Sequence, residues 1–474
     1  MKNKKIITRR STLKGIGAVG AASILPHNTL NATTKEMSSN LAEISTQVNE
    51  TYFVDTHEHL IEEKGRFTGT RHPRVRADDW TMVFSHYIDD DLRVAGMSRE
   101  EYDRFFSPEI NPVDKWKIIE PYWPFVKHTG YGMASHLAVQ QLYGVPELSG
   151  QTIRTVQQGY EALRKPGFYK KILQDMARIE SCQVNSLEGT PFMKSSMPEY
   201  LMQDISLVGM YAWVDIPGLS QPAGIDVTSL EDWYRVINWW FQTYGPYAVA
   251  VKSQHAYSRN IDYDPVPEER AAPIFQKLLN QQELTSQELK SIQDHLFWYS
   301  VHRAVDYDLP VKLHTGYYAG HDNMPLNRLL FNAGAATDLC SRSPDTRFVF
   351  MHICYPYYEE LMAAAKNFSN CYIDMCWSWL INPIAAKDFL KKYLLTAPAN
   401  KILTFGGDYI PVEPVLGHAM IARRGISLAL TELVQEGWIN IKEALTFIDP
   451  IMRGNAKRIF ALESKQKKLK NTPW

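Results

Sequence analysis

The sequence predicts a (β/α)8 barrel, α/β in class, with a long helical and aromatic insertion after its early strands. Three observations predict it. From residue 176 on, short β-rich runs alternate with longer helical ones, the pattern of repeated βα units on a parallel sheet. The strand runs are nearly continuous in apolar residues, as strands covered on both faces are. With the early runs included there are eight or nine candidate strands, which favours a closed barrel over an open sheet.

The elements follow in order. "YFVDTHEH" (52–59) opens the sheet, and "TMVFSHYI" (81–88) is a second early run. Residues 61–175 carry mixed signals and form the insertion. Within it "SREEYDRFF" starts with a capping box, Ser98 to Glu101, and "YWPFVKHTGYGMASHLAVQQLYGV" becomes helical after Gly130. Next come "SCQVNSL" (181–187) and "LVGMYAWVDI" (207–216), one of which is an extra if the barrel has eight strands. The regular part continues with "YAVAVKS" (247–253), "PVKLHTG" (310–316), "RFVFMHI" (347–353), "CYIDMCW" (371–377) and "ILTFGGD" (402–408). A second capping box, Thr285 to Glu288, starts the helix before the fifth strand. "PYYEELMAAAKNF", "PIAAKDFLKKYLL" and the long C-terminal stretch are helical.

Four segments are expected. Residues 1–32 are basic, then small and weakly apolar, with no acid. Their "TRRSTLK" resembles a twin-arginine export signal, with Arg9 and Arg10 as the pair, Leu13 as the apolar position and Lys14 after it. Thr12 stands where that pattern often has Phe. The expectation is recognition by the twin-arginine export machinery and a periplasmic destination, reached already folded and with any metal loaded. No cysteine follows the apolar run and the run is too short to span a bilayer, so no membrane anchor is expected. Residues 33–50 read as a polar linker, 51–462 as the barrel and 463–474, with "SKQKKLKN", as a basic tail. A formal net charge of −1 gives no global field for nucleic acid, and the expected partner is a small-molecule substrate; a homo-oligomer is left open. Five cysteines, an odd number, cannot all pair internally in an oxidising compartment; they read as buried apolar residues.

The chemistry gathers at strand ends. His57 and His59 end the first strand, and successive side chains on a strand alternate, so both imidazoles and Asp55 share a face while Glu58 points away. Lys252, His314, His352 and Asp408 stand at the ends of four later strands. In a (β/α)8 barrel those ends converge on one mouth, where catalysis occurs. Imidazole and carboxylate donors suit zinc and other divalent ions, and three histidines with one aspartate leave room for water. A carboxylate beside such an ion can take the proton of that water.

With these motifs the chain resembles the amidohydrolase superfamily of metal-dependent barrel enzymes over roughly residues 50–460. The resemblance rests on the His-x-His of strand one, "LHTG", "MHI", "GGDY" and the C-terminal "RGNAKRIFAL". It implies that His57, His59 and His314 are metal ligands and that Asp408 is both ligand and general base. His352 would hold a second metal, or polarise the substrate if only one ion is present. Lys252 lies where the two-metal branch carries a bridging carbamylated lysine, although one-metal members also have a Val-Lys there. The implied cofactor is a divalent metal, Zn2+ by its ligands, as one or two ions.

Substrate-pocket candidates are Trp377 and Trp379, Tyr317 and His255. His72, His86, His128 and His136 precede the regular barrel and read as surface or packing residues. The leading expectation is a metal-dependent hydrolase acting on an amide, ester or lactone of a small substrate. Isomerisation of a uronate-type sugar and metal-dependent decarboxylation are the alternatives on the same barrel, and a non-catalytic binding barrel is a rival of another class. No G-x-S-x-G elbow, Walker loop or G-x-G-x-x-G after a strand supports a serine hydrolase or a nucleotide enzyme.

Overall fold

Eight parallel strands close into a barrel around the predicted mouth. The structure, a computed structural model, describes residues 27–68, 77–187 and 189–474. The strands are β1 (Phe53–Glu58), β2 (Ile179–Val184), β3 (Leu201–Gln203, resumed at Ile205–Ser206), β4 (Val251–Ser253), β5 (Val311–His314), β6 (Phe348–Met351), β7 (Cys371–Asp374) and β8 (Ile402–Leu403). Each pairs in parallel with the next. At β3 the ladder changes hands around Asp204: the first half pairs with β2 and the second with β4, and Val249 N donates to Gln203 O at 3.0 Å. Backbone bonds between β1 and the chain just past β8 close the ring: Thr56 N to Phe405 O (3.0 Å), Asp408 N to His57 O (2.8 Å) and His59 N to Tyr409 O (3.0 Å).

Burial explains why the strands read as continuous apolar runs. All six residues of β1 are buried, although three of them are ionisable. The bottom of the barrel is filled by Val54, Met202, Val249, Val349 and Leu403 at the strand starts, packed against Phe460, Leu462 and Leu469 of the C-terminal helices. Inside, Lys312 pairs with Asp204 at 2.8 Å and donates to Thr56 O at 2.7 Å; both charged side chains are fully buried.

Several expectations are corrected. The run at 207–216 is not a strand: Val208–Tyr211 and Ile216–Ala223 are helices, and the third strand is instead "LMQDIS" at 201–206. Its interior Gln203 and Asp204 disguised it, because the partner that makes Asp204 tolerable, Lys312, lies 108 residues away. A short apolar run such as 207–216 has the same appearance as a buried helical turn. The run at 81–88 forms a 3-10 turn at Trp80–Phe84, all of it buried within the insertion. Residues 33–50, expected as a linker, belong to a helix, His27–Glu50, whose Ile44 and Val48 are buried. Arg423, from the helix Val415–Gln435, caps that helix's end by donating to Val48 O and Thr51 O. The expected basic tail at 463–474 begins inside the helix Leu462–Leu469; Leu469 and Lys465 are buried, and Trp474 packs edge-on to Tyr247 at 5.1 Å. The expected export signal lies outside the described residues up to residue 26, as does His72. Among the described residues no helix is long and apolar enough to cross a membrane.

Both predicted capping boxes are present, at Ser98/Glu101 and Thr285/Glu288. The insertion is tied to the mouth by Arg66. Its buried guanidinium donates to Glu413 (2.6 and 3.2 Å), to Asp78 (2.9 Å) and to the Tyr160 hydroxyl (2.8 Å).

Candidate metal centre and its cavity

The mouth is built from backbone geometry first. Pairing of β1 with β2 shifts register between Asp55 and Glu58. Asp55 therefore turns back and accepts from His57 N (3.0 Å) and Gly407 N (3.2 Å) rather than standing beside the imidazoles. Glu58 accepts from Tyr409 N at 2.8 Å. Burial pushes Asp55 up to about 7 and Glu58 well above the carboxylate range, so this pair retains a proton between its two carboxyls near neutrality. The glycines of "GGD" are required by that packing. A Cβ on Gly407 would lie 1.8 Å from Glu58 Oε1, and one on Gly406 would lie 2.8 Å from Cys376 Sγ.

Asp408 sits at the centre. Its Oδ1 lies 3.2 Å from His57 Nε2 and 3.2 Å from His59 Nε2, and its Oδ2 lies 3.7 Å from His352 Nε2. The Tyr87 hydroxyl donates to Asp408 O at 2.6 Å and helps hold a left-handed backbone there, φ +61°. Burial alone would raise the Asp408 carboxyl, but the hydrogen bonds and imidazoles of His57 and His59, with His352, hold it well below the usual range. Burial drives His57 well below the usual histidine range and His352 to about 3, so both rings are neutral donors at pH 7. His59 Nδ1 lies 2.6 Å from Asn185 O; this fixes the proton on Nδ1 and leaves Nε2 free to bind. Gln254 Nε2 in turn donates to Asn185 Oδ1 at 2.6 Å.

The six predicted side chains differ in how they meet. Ligand atoms of His57, His59 and Asp408 lie within 4.8 Å of one another. A second group, His352, Cys376 and Asp408, meets the same limit. His314 is close, its ring centroid 4.5 Å from that of His352, but its Nε2 bonds Tyr317 O at 2.9 Å and it joins neither group. Lys252 is fully buried with Nζ 2.9 Å from Met351 Sδ, and burial lowers it to about 8.

A cavity of about 830 Å³ opens above this floor and is lined by His57, His59, Lys252, His314 and Asp408. The four predicted pocket residues do not line it. Trp377 is buried beneath, stacked on Tyr87 at 4.7 Å and edge-on to His352 at 5.5 Å. Trp379 is buried with its indole N–H donating to Thr404 O at 2.8 Å. Tyr317 is half-buried against Trp377 and Tyr355, and His255 packs on Tyr211 and Tyr263. The walls come from elsewhere. The insertion supplies Ser85, His86, Tyr87 and Asp90; the segment after β3 supplies Trp213, 61% exposed, and Asp215; the segment after β4 supplies Tyr257. His86, expected as a packing residue, lies with its ring 6.4 Å from that of His59 and accepts from Ile410 N. The available signal was "SHYIDDD", a polar cluster interrupting an apolar insertion.

The amidohydrolase family model matches residues 275–462, which hold His314, His352 and Asp408. Over that part the chain is similar to the amidohydrolase family. The barrel fold is shared with solved structures at low identity. A glucuronate isomerase from Caulobacter crescentus aligns with TM-score 0.72 at 15% identity, covering 94% of this chain and 97% of that one. A uronate isomerase from Thermotoga maritima aligns with TM-score 0.71 at 15% identity, covering 89% and 97%. A protein from Lactobacillus casei described only as a metal-dependent hydrolase aligns with TM-score 0.60 at 16% identity, covering 89% and 98%. In sequence, protein fluG of Emericella nidulans is 24% identical over 229 residues, 46% of this chain; the match spans about a quarter of that protein, 26%.

Proposed function

We propose that this chain is a metal-dependent hydrolase of the amidohydrolase superfamily acting on an amide, ester or lactone bond of a small substrate. The observation that carries the proposal is Asp408: an ionised carboxylate on the cavity floor, flanked by three imidazoles, two of them held neutral by burial. The donor set fits a divalent ion of the zinc type, with His57, His59 and Asp408 holding it. The tautomer of His59, fixed by its Nδ1 contact with Asn185 O, is consistent with a ring whose Nε2 is committed to such an ion. When bound, the ion acidifies water and polarises a carbonyl oxygen.

The chain's own groups do the rest. Asp408 takes the proton of the attacking water and returns it to the leaving nitrogen or oxygen. The walls from His86 to Asp90 orient the substrate and exclude bulk water. Uronate isomerisation is the second reading, supported by the barrel plan shared with uronate isomerases and by Lys252 on the cavity floor as a partner for a carboxylate. The resemblance of "TRRSTLK" to a twin-arginine signal supports a periplasmic site of action.

Mass spectrometry of a panel of N-acyl compounds, esters, lactones and uronates decides between them. Hydrolysis adds water across the bond, isomerisation leaves mass unchanged and decarboxylation releases CO2. A chelated enzyme is expected to lose turnover and regain it with zinc. Water-free isomerisation of a uronate would overturn the hydrolase assignment, and full turnover after verified metal removal would overturn the metal dependence.

A further inference from the structure

The second cluster at the mouth contains a thiol. Cys376 follows β7 and its Sγ, a His352 ring nitrogen and an Asp408 oxygen lie within 4.8 Å of one another, all three residues buried. Buried free cysteines are ordinarily small hydrophobes, and Cys182, Cys340, Cys354 and Cys371 fit that role. Cys376 differs in what faces it, a carboxylate and an imidazole.

His352 is the independent observation. It is fully buried, and neither of its ring nitrogens has a hydrogen-bond partner. A neutral imidazole must present one N–H and one lone pair, and leaving both unmet in the interior is costly unless a ligand meets one. Its Nε2 faces Asp408 Oδ2 at 3.7 Å, longer than a hydrogen bond. The backbone adds a third point. His352, Cys376 and Asp408 all adopt left-handed φ, +63°, +38° and +61°, which side chains other than glycine rarely adopt and which gathers at sites where side chains are aimed.

We propose that His352, Cys376 and Asp408 form a second, thiolate-bearing cation site that takes a borderline or soft divalent ion such as zinc or cobalt. The inference rests on the mouth being a metal site and goes beyond it in naming Cys376 as a ligand. Thiolate and imidazole together select such ions over magnesium or calcium. Ligation removes the Cys376 thiol proton to solvent and changes no oxidation state. Asp408 then bridges, with Oδ1 on the His57/His59 side and Oδ2 on the His352 side. Lys252, the bridging candidate by sequence, is not needed for this site.

The test is cobalt loading of the full chain, followed by metal analysis and near-ultraviolet absorption. The wild type is expected to take up two cobalt ions per chain and to show a thiolate-to-cobalt charge-transfer band. Cys376→Ser is expected to lose the band and one cobalt, His352→Asn to do the same, and Lys252→Met to keep the band. Wild-type protein with one cobalt and no band overturns this inference and leaves the proposed function standing. Wild-type protein with no cobalt overturns both. A band that survives in folded Cys376→Ser, or is lost in folded Lys252→Met while Cys376→Ser keeps two ions, also overturns it. The wild-type spectrum is decisive even if a variant fails to fold.

Discussion

Two seams of the barrel bring histidines to one cavity floor, and they are built differently. At the β8–β1 seam, His57 and His59 both address Asp408 Oδ1 at 3.2 Å, and neighbours brace the group, Asn185 on His59 and Tyr87 on the Asp408 backbone, while Arg66 ties the insertion down through Glu413. At the β5–β6 seam, His314 is turned to Tyr317 O, and His352 has no hydrogen-bond partner. The first seam is pre-organised by protein–protein bonds; the second is left for a ligand to complete. Pre-organisation costs nothing at the moment of reaction, whereas an open site gains its order only on binding.

Asp408→Asn strikes both seams and has the largest expected effect. Turnover should fall about 10³-fold or more, since the proton acceptor and the shared ligand disappear together, with bound metal falling alongside. Steady-state kinetics with metal analysis checks this, and a variant with wild-type turnover would refute the role.

Breaking the brace comes next. Arg66→Met leaves Glu413 buried and unpaired and should cost about 3–5 kcal/mol of stability. Urea denaturation measures it. An unchanged midpoint would show that the insertion is not anchored by this pair.

The outer support of His59 is a smaller lever. Gln254→Ala frees the Asn185 side chain and should weaken metal affinity by about ten-fold, raising KM or lowering kcat only at limiting metal. Competition against a chromogenic chelator reads it. An equal loss at saturating metal would assign Gln254 to substrate instead.

A control remote from both seams has the smallest effect. Burial lowers Lys465, whose Nζ donates to Gly245 O at 3.0 Å, to about 8 from 10.5. Between those values the unfolded chain binds more protons than the folded one, so this residue makes stability rise with pH from about 8 to 10.5. Its contribution is lost as pH falls through about 8. Lys465→Met should remove that slope while leaving turnover unchanged, checked by urea midpoints at both ends of the window.

Much of the floor was legible in the sequence, because strand ends are local features. His57, His59 and Asp408 meet as the barrel pattern requires. His314 was less legible, since its bond to Tyr317 O depends on how the turn after β5 folds. The walls were much less legible. Trp377 and Trp379 have the spacing of a stacking pair, yet both are core residues, and Gly425 packs directly on the Trp379 ring. His86 and Trp213 line the cavity because the insertion and the segment after β3 fold over the mouth. The helix at His27–Glu50 was hidden because, among its side chains described from residue 39 on, only Ile44 and Val48 are buried, between mostly polar neighbours.

By itself the sequence determined the barrel, the order of its donor-bearing strand ends and the donor chemistry of the mouth, because period, composition and residue type act over a few neighbours. Only the tertiary structure decided which donors share an atom, which aromatic rings face the cavity and that Cys376 stands beside His352. Those outcomes depend on side chains tens to hundreds of residues apart, whose packing no local pattern encodes.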